Sequence, residues 1–153
     1  MDFNLTEEQR MLVDTIKKMG KRESFADLAV EIDRTAQFPH ELIEKFAGMG
    51  LLGMTLSEEL GGGGRPGIDA IIAIEELAKF SPMIAAPVFE SNIGPVRVID
   101  KFGTEEQRNR IIPGVCSGEY SVSVCMTEPE AGSDLTSLRS KLTEDENGDY
   151  ILN

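Results

Sequence analysis

A chain of 153 residues with 41% hydrophobic content can bury the core of about one domain, at roughly 100–200 residues per domain. Its formal net charge of -12 and pI near 4.5 exclude a nucleic-acid-binding surface, which needs clustered Lys and Arg, and argue against an anionic membrane face. Two cysteines, Cys116 and Cys125, lack a framework spacing and fit a reducing compartment, the cytoplasm or an organelle matrix, with cytoplasmic the expected location.

At the N-terminus, Asp2, Glu7 and Glu8 stand where an export signal would be basic and then apolar. The apolar run Ile71 to Ile74 is far short of the ~20 residues that a membrane span needs. Thr6-x-x-Gln9 forms a capping box that opens a helix carrying Leu12, Ile16 and Met19 at helical spacing. Gly20 weakens its end, and Ser24 is placed to cap a second segment with Leu28 and Ile32. Pro39 suits the first position of a third helix, with Leu42, Ile43 and Phe46 on one face and Gly50 at its C-terminal cap. Leu51 to Leu56 reads as a short apolar connector of extended character. Gly61 to Gly64, Arg65, Pro66 and Gly67 read as an exposed mobile loop.

An apolar helix is expected from Asp69 through Ile72, Ile74, Leu77 and Ala78 to about Phe80, ended by Ser81-Pro82. Another, with Ile93, Val96 and Ile99 on one face, spans about Pro87 to Lys101. Thr104-x-x-Gln107, a second capping box, opens a short helix that closes at Pro113-Gly114. About six helices therefore fill residues 1–118.

Beyond Gly118 the period changes to two. Ser121 to Met126 alternates polar and apolar residues like a half-buried strand, and Pro129 stops it by removing a backbone donor. Gly132 lets the backbone approach a ligand closely, while Ser133 and Asp134 favour local side-chain to backbone bonds. Consecutive N–H groups in such a loop form an anion-binding concavity, and the Thr127 hydroxyl at the strand end both donates and accepts. Arg139 to Thr143 and Tyr150 to Leu152 look like further strands around the turn Glu146-Asn147-Gly148-Asp149, leaving an exposed sheet edge. The fold class is mainly α: a helical bundle over 1–118, then the opening strands of a β domain over 119–153. No internal repeat is evident.

Other chemistry-bearing residues have simpler readings. His40 at a helix start has no evident partner and is expected on the surface. Adjacent glutamates on a helix do not face one another, so Glu75 and Glu76 read as a solvated face; Glu58 and Glu59 are no better as an acid–base pair. Met49, Met54 and Met83 suit packing, and Cys125 has no neighbouring cation to make it a nucleophile. Two cysteines and His40 are too few for a zinc site, and the glycine run matches no phosphate-loop spacing.

The string Cys125-Met126-Thr127-Glu128-Pro129-Glu130-Ala131-Gly132-Ser133-Asp134-Leu135-Thr136-Ser137 resembles the flavin-binding signature of the acyl-CoA dehydrogenase family: a small residue, an aliphatic one, then T-E-x-x-(small)-G-S-D-x-x-(small). Every constrained position carries an allowed type. Phe102-Gly103-Thr104-Glu105-Glu106-Gln107-Arg108 resembles the family's F-G-T-E-E-Q-(basic) helix start, and Ile112-Pro113 with Ser117-Gly118-Glu119 resembles its link into the middle domain. Ser57-Glu58-Glu59-Leu60-Gly61-Gly62 resembles P-E-E-(aromatic)-G-G, departing at Ser57 and Leu60, and the opening Asp2 to Gln9 also fits.

The resemblance covers the whole chain and implies an N-terminal helical domain followed by the start of a truncated middle β-barrel, with the family's C-terminal helical domain absent. It implies an FAD-dependent oxidoreductase of fatty acid metabolism that introduces a double bond between Cα and Cβ of an acyl-CoA. Val124, Cys125, Met126, Thr127, Gly132 and Ser133 would bind FAD, and Ser133 would also meet the acyl-CoA substrate. The helix around Phe89 to Val96 would wall the acyl pocket. No catalytic residue falls in this chain, because the family's glutamate base lies in the C-terminal domain, and a tryptophan-containing flavin segment would follow Asn153. Electron-transfer flavoprotein is the implied electron acceptor, and a homo-oligomer, tetramer or dimer, the implied assembly. The chain alone is then expected to be inactive. Alternatives within the same reading are a naturally short, non-catalytic subunit that completes a site with a second chain, or a parent enzyme acting as an enoyl-CoA reductase or acyl-CoA oxidase.

Overall fold

The computed structural model describes residues 4–153; Asp2 and Phe3 of the opening motif lie outside the described residues. Two compact units are present, one ending at Ser123 and the other beginning at Val124. Among its described residues the first contains seven α-helices, one more than the periodicity predicts: α1 (Glu7–Arg22), α2 (Phe25–Thr35), α3 (His40–Gly48), α4 (Gly67–Ala78), α5 (Pro82–Glu90), α6 (Val96–Phe102) and α7 (Glu105–Ser117).

Both capping boxes form. The Thr6 hydroxyl accepts from the Gln9 amide at 3.2 Å and the Gln9 side chain accepts from the Thr6 amide at 3.0 Å; Thr104 and Gln107 repeat this at α7. Gly20 does not end α1, which continues to Arg22. Instead Gly20 is buried, and a β-carbon there would lie 2.4 Å from Phe80 Cζ. The residue makes room for the Phe80 ring, which meets Phe25 edge-on at 5.5 Å, while Phe25 meets Phe46 edge-on at 6.4 Å.

Ser24 occupies the N-cap of α2 but in left-handed backbone (φ 51) and with no capping bond from its side chain. Full burial of the adjacent Phe25, rather than a serine cap, starts that helix. Pro39 is the N-cap of α3 rather than its first residue. Gly50 ends α3 as expected: at φ 66 its amide donates to Ala47 O at 2.9 Å, and the Leu51 amide reaches Phe46 O at 2.9 Å.

Several local expectations are overruled by packing. Leu51 to Leu56 is not extended but winds through tight turns, which bury Leu51, Leu52, Met54 and Leu56. The glycine loop is not free: the amides of Gly63, Gly64 and Arg65 donate to the carbonyls of Gly53, Leu56 and Met54 at 3.1, 2.8 and 2.8 Å. Two lengths of backbone lie in direct contact there, and a β-carbon on Gly62 would sit 2.4 Å from Leu56 O.

Glu76, expected on a solvated face, is buried and pairs with Lys79, whereas its neighbour Glu75 stays exposed. The helix expected over about Pro87 to Lys101 is divided into α5 and α6. Asn92 holds the break: fully buried, it donates from Nδ2 to Leu51 O and Val88 O, both at 2.8 Å, and accepts the Thr55 amide at 3.1 Å. Arg97 closes the knot, donating to Asn92 O at 2.8 Å and to the Thr55 hydroxyl at 2.7 Å. Pro113 does not stop α7, because Ile112, Val115 and Cys116 all bury against Leu56 and Val96; the helix ends at Gly118 in left-handed backbone (φ 81).

Asp69, near the start of α4, is buried and accepts from Gln9 Nε2 at 2.9 Å and Arg65 Nε at 2.8 Å. Burial alone raises its carboxyl, but the Gln9 and Arg65 hydrogen bonds and the Arg65 charge outweigh it, and the carboxyl lies below its ordinary value of 3.8. A depressed folded-state value contributes stability above the unfolded value that is lost as pH falls through the folded one. Asp69→Asn is therefore expected to destabilise the protein at neutral pH, with the difference from the parent shrinking below about pH 4. Thermal unfolding at pH 7 and pH 3 checks this, and a difference that widened in acid would contradict it.

In the second unit, β1 (Leu142–Glu144) and β2 (Tyr150–Leu152) form an antiparallel hairpin with Thr143 opposite Ile151. Asp145 Oδ1 holds its turn by accepting the amides of Asn147 and Asp149 at 2.8 and 2.9 Å, with Gly148 at φ 83. Ser121 to Met126 pairs in no ladder among the described residues, so the expected strand is not formed there. Alternation describes which faces a strand would show; a ladder also needs a neighbour to bond. Among the described residues no helix is long and apolar enough to cross a membrane.

Candidate functional site

The signature string folds into a compact bend within the second unit. Glu128 and Ala131 exchange backbone bonds at 2.9 and 3.1 Å across Pro129 and Glu130, making a tight four-residue turn. The Glu128 carboxylate then reaches forward and accepts the amides of Arg139 at 2.7 Å and Ser140 at 3.0 Å. Hydrogen bonding from Ser140, then from the Arg139 amide, holds this carboxyl below its ordinary range. Sequence reasoning missed this role, since the partners lie 11 and 12 residues downstream and no local pattern announces them.

Past the turn, Asp134 caps a 3₁₀ turn at Leu135–Ser137. Its carboxylate accepts from the Ser137 hydroxyl at 2.6 Å and from the Thr136 amide at 3.1 Å. These bonds, the Ser137 hydroxyl foremost, lower its carboxyl. Of the two residues expected to brace the bend, Asp134 does so and Ser133 does not. The amides of Glu130, Gly132 and Ser133 donate to no protein group among the described residues. Gly132 needs no left-handed backbone, and a β-carbon there would meet nothing within 4 Å. Its bareness keeps the approach to these amides open. Val124, Cys125, Met126, Thr127 and Ser133 are all exposed, so the candidate residues line one accessible run of chain. Such a run, braced by two carboxylates and leaving three N–H groups without a protein acceptor among the described residues, suits an anion.

A separate concavity lies wholly within the helical unit. Its volume is about 370 Å³, and Met83, Pro87 and Glu90 line it from one face of α5. Ile43 of α3 and the chain around Tyr120 and Val122 face it. Gly118 turns the chain back after α7, and the Tyr120 ring then packs on Gly114, where a β-carbon would fall 2.2 Å from Cδ2. His40, expected on the surface, is exposed at the cavity rim, and Met83, expected to pack, is half-exposed along its wall. Burial pushes the Glu90 carboxyl above its ordinary range. Cys116 is buried, its thiol likewise pushed up by burial, whereas Cys125 is exposed. Among the described residues no cluster of His, Cys, Asp or Glu could hold a metal ion.

Comparison with known proteins agrees with the signature. The family model described as "Acyl-CoA dehydrogenase, N-terminal domain" matches residues 6–119. The chain is 35% identical over 152 residues to 3-sulfinopropanoyl-CoA desulfinase of Advenella mimigardefordensis, covering 99% of this chain and 37% of that protein. It is 33% identical over 151 residues to an acyl-CoA dehydrogenase of Bacillus subtilis, covering 99% of this chain and 39% of that one. A solved glutaryl-CoA dehydrogenase from Mycobacterium smegmatis in complex with FADH2 superposes with a TM-score of 0.86 at 26% identity, over 97% of this chain and 38% of that one. The chain thus spans under two fifths of the length of each of these proteins. By the matched domain and the extent of this similarity, the chain belongs to the acyl-CoA dehydrogenase family.

Proposed function

We propose that the protein containing this chain is an FAD-dependent acyl-CoA dehydrogenase, with residues 1–118 as its N-terminal helical domain and 119–153 as the opening of its middle β domain. FAD, when bound, supplies the acceptor for the hydride leaving Cβ of the thioester. The amides of Gly132 and Ser133 would hold the diphosphate, the Met126 backbone and the Thr127 hydroxyl would meet the flavin edge, and Val124 and Cys125 would complete the run against the cofactor. Ser133 would also contact the acyl-CoA. The base that takes the α-proton is assigned to no residue of this chain. Electron-transfer flavoprotein as acceptor and a homo-oligomeric assembly belong to the same proposal.

The observation that carries this reading is the braced bend at Glu128–Ser137, whose Glu130, Gly132 and Ser133 amides donate to no protein group among the described residues, in a string that matches the family signature. The test is to express the full reading frame and add butyryl-CoA anaerobically. Loss of the oxidised-flavin absorbance is expected, and an unchanged spectrum in a protein that retains stoichiometric FAD would reject the reading.

The chain by itself is a different matter. Two or three strong hydrogen bonds contribute about 1.5–3 kcal/mol each, while ordering several loop residues costs about 1–2 kcal/mol per residue. The two nearly cancel, so the 153-residue chain is expected to hold FAD weakly and to catalyse nothing. Added FAD should leave its melting temperature unchanged; a rise of several degrees would contradict this.

A further inference from the structure

We infer that Glu128 is a positioning residue for the flavin: by clasping the two halves of the second unit together, its carboxylate sets how tightly FAD is held without contacting it. This rests on the flavin reading above and deepens it, from the amides that would meet the diphosphate to the bonds that keep them in place.

Within the second unit, residues 124–138 carry the bend and residues 139–153 carry the hairpin. Among the described residues, only the Glu128 carboxylate joins these two stretches by hydrogen bonds, accepting the Arg139 amide at 2.7 Å and the Ser140 amide at 3.0 Å. Every other hydrogen bond of the bend is local: Glu128 with Ala131, Asp134 with Thr136 and Ser137, Leu135 with Leu138. The hairpin is likewise closed on itself, through Lys141 with Asn153 and through the Asp145 turn. The bend is therefore a loop with a single clasp, spanning 11 residues from Glu128 to Arg139. Opening that clasp frees the chain around Gly132 and Ser133. A site that is formed only part of the time binds its ligand more weakly in proportion to that fraction.

The residue type follows from the geometry. Two consecutive amides arrive together, and a carboxylate is the side chain that accepts from both at once. Glutamine would accept one and turn an N–H of its own toward the other, leaving two donors face to face. The charge has a second consequence. A free carboxylate in this string would repel a diphosphate, whereas here both oxygens are committed to the returning backbone. Glu128 thus acts through the chain it clasps.

The experiment removes flavin from the full-length protein and titrates FAD back, following flavin fluorescence for affinity and stoichiometry. Glu128→Gln is expected to raise the FAD dissociation constant by roughly tenfold, and Glu128→Ala by more, with the number of sites unchanged. A merely structural role would instead lower the number of sites and the melting temperature, and leave the dissociation constant of the remaining sites unmoved. Ser140→Pro removes one donor from the far end of the clasp and should weaken FAD in the same way. Combined with Glu128→Gln, it should weaken FAD by less than the product of the two single effects. A Glu128→Gln protein that binds FAD as tightly as the parent, or two effects that simply multiply, overturns the inference while leaving the flavin reading intact. If Glu128→Gln does not fold, an unchanged dissociation constant in Ser140→Pro overturns it alone. A full-length parent that binds no FAD overturns both.

Discussion

Replacing Asn92 by leucine is expected to remove about 2–6 kcal/mol of folding stability, from two backbone groups left without protein partners at about 1–3 kcal/mol each. Those groups are Leu51 O and the Thr55 amide, whereas Val88 O keeps the Ser91 hydroxyl at 3.4 Å, and Asn92 is fully buried. Leucine is close in volume, so the loss reports polar satisfaction and not a cavity. Against a typical domain stability of about 5–15 kcal/mol, the change is large enough to leave a partly unfolded population. Urea unfolding measures it as a shift in midpoint at constant slope. A loss under about 1 kcal/mol would mean that the α5–α6 break is held by something else. Because Arg97 joins the same knot through Asn92 O and Thr55, Thr55→Val should lose less, and the double variant should lose less than the sum.

The second large effect concerns the bend. Gly132→Val is expected to lower FAD retention in the full-length protein by roughly 100-fold while leaving the apoprotein's stability within about 0.5 kcal/mol of the parent. The two halves of that expectation have one cause. A β-carbon at position 132 would meet nothing in the protein within 4 Å, so no packing is disturbed there; in the proposed site the added side chain would stand beside the Gly132 and Ser133 amides that a phosphate needs. Flavin content after gel filtration and the apoprotein melting temperature are the two readouts. A flavin-replete variant would remove the bend from the proposed cofactor site. A strongly destabilised apoprotein would show that glycine serves the fold here rather than a ligand.

Glu128 and Glu90 illustrate how differently two carboxylates can be read. Glu128 belongs to a signature string, yet its side chain braces backbone at Arg139 and Ser140, a role that no spacing in the string announces. Glu90 belongs to no motif, and only the folding of α3, α5 and the chain after Gly118 around one recess gives it neighbours. In both cases the informative partner is distant in sequence.

Local chemistry alone determined the helix starts at Thr6 and Thr104, the termination at Gly50, the hairpin turn at Asp145–Gly148 and the family signature at Cys125–Ser137, because each depends on residues within a few positions of one another. The tertiary structure alone decided that Gly20 lies inside a helix, that Pro113 fails to end one, that Glu76 is buried, that the glycine loop is anchored, and that Ser121 to Met126 pairs with no neighbour. The physical reason is common to these cases. Propensity differences amount to about 1 kcal/mol per residue for glycine and about 3 for proline, and burying neighbours such as Ile112 and Val115 at about 1.5–3 kcal/mol each is enough to override them.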